Sequence, residues 1–171
     1  MRQLKEAGIT KVVMMTGDSE RTAAAIAKRV GVDEYYSEVL PEDKASFVEK
    51  EKKLGHKVIM IGDGINDSLA LSSASVGIAI SDGAAIAREI ADVTISADNL
   101  HEIVTLKRLS TALMKRIHNN YRTIIGVNGG LIALGVTGVI MPTTSPLLHN
   151  LSTLTISLRS MRNLLPKEEE I

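Results

Sequence analysis

Apolar positions along the first hundred residues alternate between short unbroken runs and longer stretches that carry small or apolar residues on one helical face. Val58, Ile59, Met60 and Ile61 form one such run, cut off by Gly62-Asp63-Gly64, which predicts a buried parallel strand ending at Asp63. Upstream, residues 2–8 read as a helix closed by Gly8, and ITKVVMMTGD (9–18) as a strand rising into a glycine-containing turn. SERTAAAIAKRVG (19–31) follows, with Ser19 as helix N-cap and Gly31 as its stop. A strand is expected near 36–39, then a charged helix from Pro41 to Gly55. Downstream of Asp63 the pattern predicts a helix over 67–74, a strand VGIAI (76–80), a helix over 83–90 and a short strand DVTI (92–95). Strands alternating with helices imply an α/β fold, a Rossmann-like parallel sheet with helices on both faces.

A different pattern begins at Thr123. From there to Leu158 no Asp, Glu, Lys or Arg occurs, whereas every charge lies in 1–122 and 159–171. Residues 123–141 approach the roughly 20 apolar residues that span a bilayer. A second segment, Leu147 to about Leu165, is less apolar, and a buried amphipathic helix is its alternative reading. Lys115, Arg116 and Arg122 precede the first segment, and Arg159, Arg162 and Lys167 end or follow the second. The positive-inside rule then makes a two-helix transmembrane hairpin with both ends, and residues 1–122, on the cytoplasmic side of an integral membrane protein, with the lipid bilayer as partner. Gly126, Gly129, Gly130, Gly135 and Gly138 suit close approach by further helices. No secretory signal is expected, since Met1 opens into a polar helix.

Composition narrows the chemistry. The absence of Cys excludes disulfides and thiolate metal ligands within the chain. Balanced charge, 20 basic against 20 acidic residues, and 2% aromatics argue against a nucleic-acid partner.

In open α/β sheets ligands gather at the carboxyl ends of strands. TGD (16–18) and GDGIND (62–67) both lie there, so Thr16, Asp63 and Asn66 are expected to line one crevice. Asp63 and Asp67, four residues apart beside glycines, offer hard oxygen ligands of the kind Mg²⁺ takes together with water and phosphate oxygens; an Asx-type turn is the alternative. Lys44, at the start of the helix after Pro41, can neutralise phosphate as a point charge, or stay solvated like most lysines.

The segments MMTGDSERTAAAIA, PEDKASFV, VIMIGDGINDSLALSSASVGIAI and GAAIAREIADVTI resemble, in order and spacing, the second half of the phosphorylation domain of P-type ATPases, a haloacid-dehalogenase-like fold. The resemblance implies that Asp63 is a Mg²⁺ ligand and that Asn66 and Asp67 orient the loop and phosphate, Asp67 as a second candidate ligand. It further implies that Thr16 and Gly17 bind the transferred phosphoryl group, that Asp18 supports the loop, and that Lys44 stabilises charge, with ATP as substrate. The family's nucleophile, the first Asp of a DKTG motif, is absent: Asp43-Lys44 continues into Ala-Ser and matches the lysine motif instead. Covalent catalysis therefore needs a carboxylate from outside these residues. The expected partners are an N-terminal part carrying nucleophile, nucleotide-binding and actuator domains and the other membrane helices.

The second half resembles the last two membrane helices of heavy-metal-transporting P-type ATPases. HNLST (149–153) stands where copper-type pumps carry Met-x-x-Ser-Ser and zinc-type pumps an Asp, Asn128 matches an Asn or Lys position, and SLRSMRNLL resembles the family's ending. His149, with Ser152 and Thr153 on one helical face, and Asn128 become candidate contacts of a transported transition-metal cation. An imidazole suits Zn, Cu, Ni and Fe, and loss of the Met weakens Cu(I), so a divalent metal, zinc first, is expected to be exported. The implied organisation is 1–100 half phosphorylation domain, 101–122 linking helix, 123–165 two transmembrane helices and 166–171 polar tail. Alternatives are a copper pump, a K⁺ or Ca²⁺ pump, against which HNLST argues because hard cations favour carboxylates, a complete small phosphatase, which would need a nucleophilic Asp on an N-terminal strand that these residues lack, and a stand-alone Mg²⁺-, nucleotide- or phosphate-binding or pump-regulatory membrane protein without turnover.

Overall fold

The computed structural model describes residues 1–80, 84–95, 101–141 and 143–164. The polar tail at 166–171, Leu165, Lys167 and Gly83 lie outside the described residues. Two units are present, Met1–Thr105 and Leu106–Ile171.

In the first unit each parallel pair of strands is joined by a helix, because parallel neighbours need a crossover. α1 (Arg2–Glu6) leads into β1 (Val13–Met15), and α2 (Glu20–Val30) crosses to β2 (Glu34–Tyr36), which pairs parallel with Met14 opposite Tyr35. α2 follows its Ala-rich pattern: Ala23 and Ala27, one turn apart, are its buried face, and Gly31 ends it at φ 76° with its N–H on Ala27 O at 2.8 Å. α3 (Pro41–Lys53) starts on Pro41, with Asp43 Oδ2 accepting the Leu40 N–H at 3.2 Å as its cap. A second parallel sheet runs β3 (Ile59–Gly62), β4 (Val76–Ile80), β5 (Val93–Ile95), connected through α4 (Ser68–Ser73) and α5 (Ala85–Ile90). Leu71, Ala79 and Ala87 form its core, with Met60 and Ala91 packed on it.

The expected parallel sheet is thus present in two hydrogen-bonded pieces. Among the described residues β1 bonds only β2, and β3 bonds only β4, so β1 and β3 each keep an unpaired edge. The strand expected near 36–39 lies at 34–36. Its extension is cut short because Glu38 turns to φ 53° and residues 38–39 fold back on the β1 turn, Glu38 N–H bonding Asp18 O and Val39 N–H bonding Thr16 O, both at 3.0 Å.

Two surface carboxylates couple this unit to pH. Glu20 accepts Ser37 Oγ at 2.6 Å and Tyr35 Oη at 2.7 Å, and these donors hold its carboxyl below the ordinary range. Asp33 is held down in the same sense by the Lys5 ammonium and by the Val12 N–H at 2.8 Å. Folded values below unfolded ones give stability that is present above about pH 4 and lost as pH falls through the folded values. Thermal unfolding followed at pH 6 and at pH 3 is expected to show a larger loss for the parent than for a Glu20→Gln, Asp33→Asn double variant; equal losses would contradict this.

In the second unit the sequence separates a linking helix from a span at 123–141, but the backbone runs as one helix, α6 (His101–Val136, 36 residues), whose first turns belong to the first unit. The helical glycines do not break it; it ends before Gly138, which takes φ 73°. Its charge-free part, 123–136, is therefore only roughly 20 Å long, against about 30 Å of hydrocarbon. α7 (Thr144–Ser160) has 17 residues and a polar first half. Among the described residues no helix is long and apolar enough to cross a membrane. α6 and α7 are clasped at one end: Arg116 donates to Ser160 O at 2.9 Å and to the carbonyls of Arg162 and Asn163, and Asn120 Nδ2 donates to Ser160 Oγ at 2.6 Å. The guanidinium thereby satisfies Ser160 O, a carbonyl that the end of α7 leaves open, and two more in the segment that follows.

Candidate functional site

The turn after β3 is built on a close approach. A Cβ on Gly62 would lie 2.5 Å from Asp67 Cβ and 2.8 Å from its Cγ, so only glycine lets the chain double back on itself here. A single 3-10 turn, Ile65–Asp67, carries Asn66 outward and Asp67 inward; Asp67 N–H bonds Gly64 O at 3.2 Å and the residue is 7% exposed. Its charge is met from α3, where Lys44 Nζ lies 2.8 Å from Asp67 Oδ1 with both side chains largely buried. A buried carboxylate and ammonium in contact stabilise each other only as a pair, and each fixes the other's position. Asp63, directly beyond the strand, keeps an exposed side chain, while its carbonyl accepts the Ala84 N–H at 2.8 Å.

Around this turn stand an open carboxylate, an exposed amide and a buried cation held by a second carboxylate. Mg²⁺ is commonly held by one or two carboxylates, the rest of its shell being water and phosphate oxygen, so the donor set of Asp63, with Asn66 beside it, fits that ion. Among the described residues no group of three or more His, Cys, Asp or Glu forms a denser metal site.

The TGD turn organises itself. Thr16 Oγ1 donates to Asp18 Oδ2 at 2.9 Å and accepts the Asp18 N–H at 3.1 Å, while Thr16 N–H bonds Tyr36 O at 3.0 Å. Gly17 is exposed between them. The described contacts join Lys44 to Asp67 and Thr16 to Asp18, and each pair sits at the carboxyl end of a strand or on the helix beside it.

Of the second set of candidates, Asn128 and His149 meet: His149 Nδ1 is 2.9 Å from Asn128 Oδ1. An amide oxygen only accepts, so Nδ1 donates, and in the neutral ring Nε2 keeps its lone pair. The Ser152 and Thr153 hydroxyls both donate to His149 O, at 2.7 and 3.0 Å. Asn128 and His149 line a cleft of about 420 Å³ with Ile132, Ser145 and Pro146. Sequence reasoning missed Gly62 as the residue that admits Asp67, Asp43 as the helix cap beside Lys44, and the Arg116 clasp. Only the first two had a local signal, a glycine before an acidic turn and an acid two residues after a helix-starting proline.

Residues 1–75 match the family model described as haloacid dehalogenase-like hydrolase. A manganese-exporting P-type ATPase of Mycobacterium tuberculosis is 37% identical over 163 residues, 95% of this chain and 23% of that protein. A copper-exporting P-type ATPase of Bacillus subtilis is 39% identical over 160 residues, 94% of this chain and 20% of its own. A solved zinc-transporting PIB-type ATPase superposes with a TM-score of 0.86 at 32% identity, covering 96% of this chain and 27% of that one. The parallel sheet and its turns thus have a haloacid-dehalogenase-like fold. The chain is a homologue of heavy-metal P-type ATPases over nearly its whole length, and it spans about a fifth of the length of the curated relatives it matches.

Proposed function

We propose that this chain is the C-terminal part of an ATP-driven heavy-metal pump working through an aspartyl phosphate whose carboxylate lies outside these residues. The buried Lys44–Asp67 pair beside the exposed Asp63 carries the reading, because a fixed cation and an open anion at one turn are what a phosphoryl group and its Mg²⁺ would need. Phosphoryl transfer is catalysed mainly by positioning and charge neutralisation. Lys44 neutralises charge on the transferred group, Asp67 holds Lys44 in place, Thr16 and Gly17 meet phosphate oxygens with Asp18 bracing Thr16, and Asn66 orients the loop. Mg²⁺, held by Asp63, would supply further neutralisation of the phosphate oxygens. The unpaired edges of β1 and β3 fit a strand from the remainder of the pump, which is where a nucleophilic carboxylate has to enter.

α6 and α7 form a hairpin within a larger helix bundle in this reading, in a membrane that is the plasma membrane, with residues 1–122 cytoplasmic. Exposed Ile125, Ile132, Val136, Leu147 and Leu151 support it, since an isolated soluble hairpin gains nothing from showing them to water. Nε2 of His149 faces a transported divalent cation, zinc first, with export as the direction; Ser152, Thr153 and Asn128 flank it. Relatives that export manganese or copper make the metal panel part of the test.

The test is metal-stimulated ATPase activity of the intact pump with Zn²⁺, Mn²⁺ and Cu⁺. His149→Ala is expected to lower activation by the transported metal by about tenfold or more while nucleotide binding stays unchanged. An unaltered metal dependence would return His149 to a purely structural bond with Asn128.

A further inference from the structure

Between Glu102 and Glu168 the chain carries no acidic residue, yet it carries Lys107, Arg108, Lys115, Arg116, Arg122, Arg159, Arg162 and Lys167. Arg116 is committed to carbonyls at and just after the end of α7. That clasp, with Asn120 on Ser160, sets Ser160 beside residues 116–120, so Arg159 and Arg162 lie near the stretch of α6 that Lys115 and Arg122 bracket. Lys115 and Arg122 are seven residues apart on one helix, about 10 Å along its axis. All four side chains are exposed, and among the described residues none of them is in an ion pair or a side-chain hydrogen bond. Their place along the chain is as telling: Arg122 immediately precedes the charge-free stretch and Arg159 immediately follows it. Tyr121, 64% exposed, stands beside Arg122, and an amphipathic ring at that level suits a headgroup boundary.

We propose that Lys115, Arg122, Arg159 and Arg162 form a cationic girdle that selects anionic phospholipid headgroups, with Arg116 as the clasp that keeps the basic residues of the two helices together. The inference rests on the membrane placement proposed above. Lipid phosphate is favoured over an acidic protein surface because the four cations border the apolar stretch on both helices of the hairpin, which in that placement is the depth of the headgroups. Basic residues next to an anionic leaflet each gain from its surface potential, and the gain is screened by salt.

The full chain is reconstituted into phosphatidylcholine bilayers, and its association with spin-labelled phosphatidylglycerol is compared with that of spin-labelled phosphatidylcholine by electron spin resonance. Phosphatidylglycerol is expected to associate about threefold more strongly or better. The ratio should fall towards one at about 1 M salt and in the K115Q/R122Q/R159Q/R162Q variant, which leaves Arg116 in place. An R122K/R159K/R162K variant, which keeps charge, should retain it, and with the salt titration it carries the test if the neutralised variant loses helicity. A ratio near one in the parent chain, with the chain still resisting alkaline carbonate extraction, overturns this inference alone and leaves the girdle to an acidic protein segment. Release of the chain by carbonate overturns the membrane placement and the inference together.

Discussion

Asp63→Ala in the intact pump is expected to lower phosphoenzyme turnover by about a hundredfold or more while the polypeptide is still produced, inserted and able to bind nucleotide. Asp63 is exposed and its only described bond is through its backbone carbonyl to Ala84 N–H, so removing the carboxylate leaves the turn's internal bonds in place. The loss falls on the chemistry because Asp63 is the open anion at the end of β3 that would hold Mg²⁺ in the proposed site. Asp63→Asn separates charge from shape: it keeps an oxygen donor and should recover little, since Mg²⁺ is bound chiefly by carboxylates. Acid-quench measurement of phosphoenzyme formation and decay checks both variants. Turnover like the parent's in Asp63→Ala would remove Asp63 from the site.

Gly62→Ala is the second large effect and acts through geometry alone. The added methyl would meet Asp67 Cβ at 2.5 Å and Oδ2 at 2.9 Å, distances no packed structure tolerates, so either β3 or Asp67 has to move. Overpacking of this kind costs about 1–3 kcal/mol. Moving Asp67 also parts it from Lys44, which is left as a partly buried, unpaired ammonium. Urea unfolding of the chain should show the destabilisation, and phosphorylation of the intact pump should fall with it. Gly64→Ala is the control, because a Cβ there has no neighbour nearer than 3.8 Å. Gly62→Ala with the stability of the parent would mean that Asp67 is free to move, and the fixed Lys44–Asp67 pair would no longer explain the site.

Local signals carried the reading of β3 and its turn, since an apolar run broken by Gly-Asp-Gly leaves little freedom about where a strand stops. Gly31, Gly55 and Pro41 likewise mark helix ends through their own backbone preferences. What depends on distant partners was not legible. β2 was expected two or three residues late because its register is set by pairing with β1, Val13 opposite Glu34, and by the fold-back of residues 38–39, neither of which has a local signature. Lys44 and Asp67 each looked like a group facing phosphate, and that they face each other across 23 residues of sequence appears only once α3 packs against α4. The joining of the linking helix to the apolar segment shows the limit of charge patterning: loss of charge at Thr123 marks a change of surroundings, not of backbone, and α6 runs through it to the turn at Gly138.

The most direct test is to incubate membranes of the source cells with γ-labelled ATP, Mg²⁺ and the transported metal, and to identify the labelled polypeptide with an antibody to residues 1–100. The expected result is an acid-stable, hydroxylamine-sensitive label on a polypeptide several-fold larger than the 18.4 kDa of this chain, carrying the epitope. The epitope confined to a band near 18.4 kDa, with the label absent or on a separate protein, would contradict a phosphoryl site completed by the rest of the same pump.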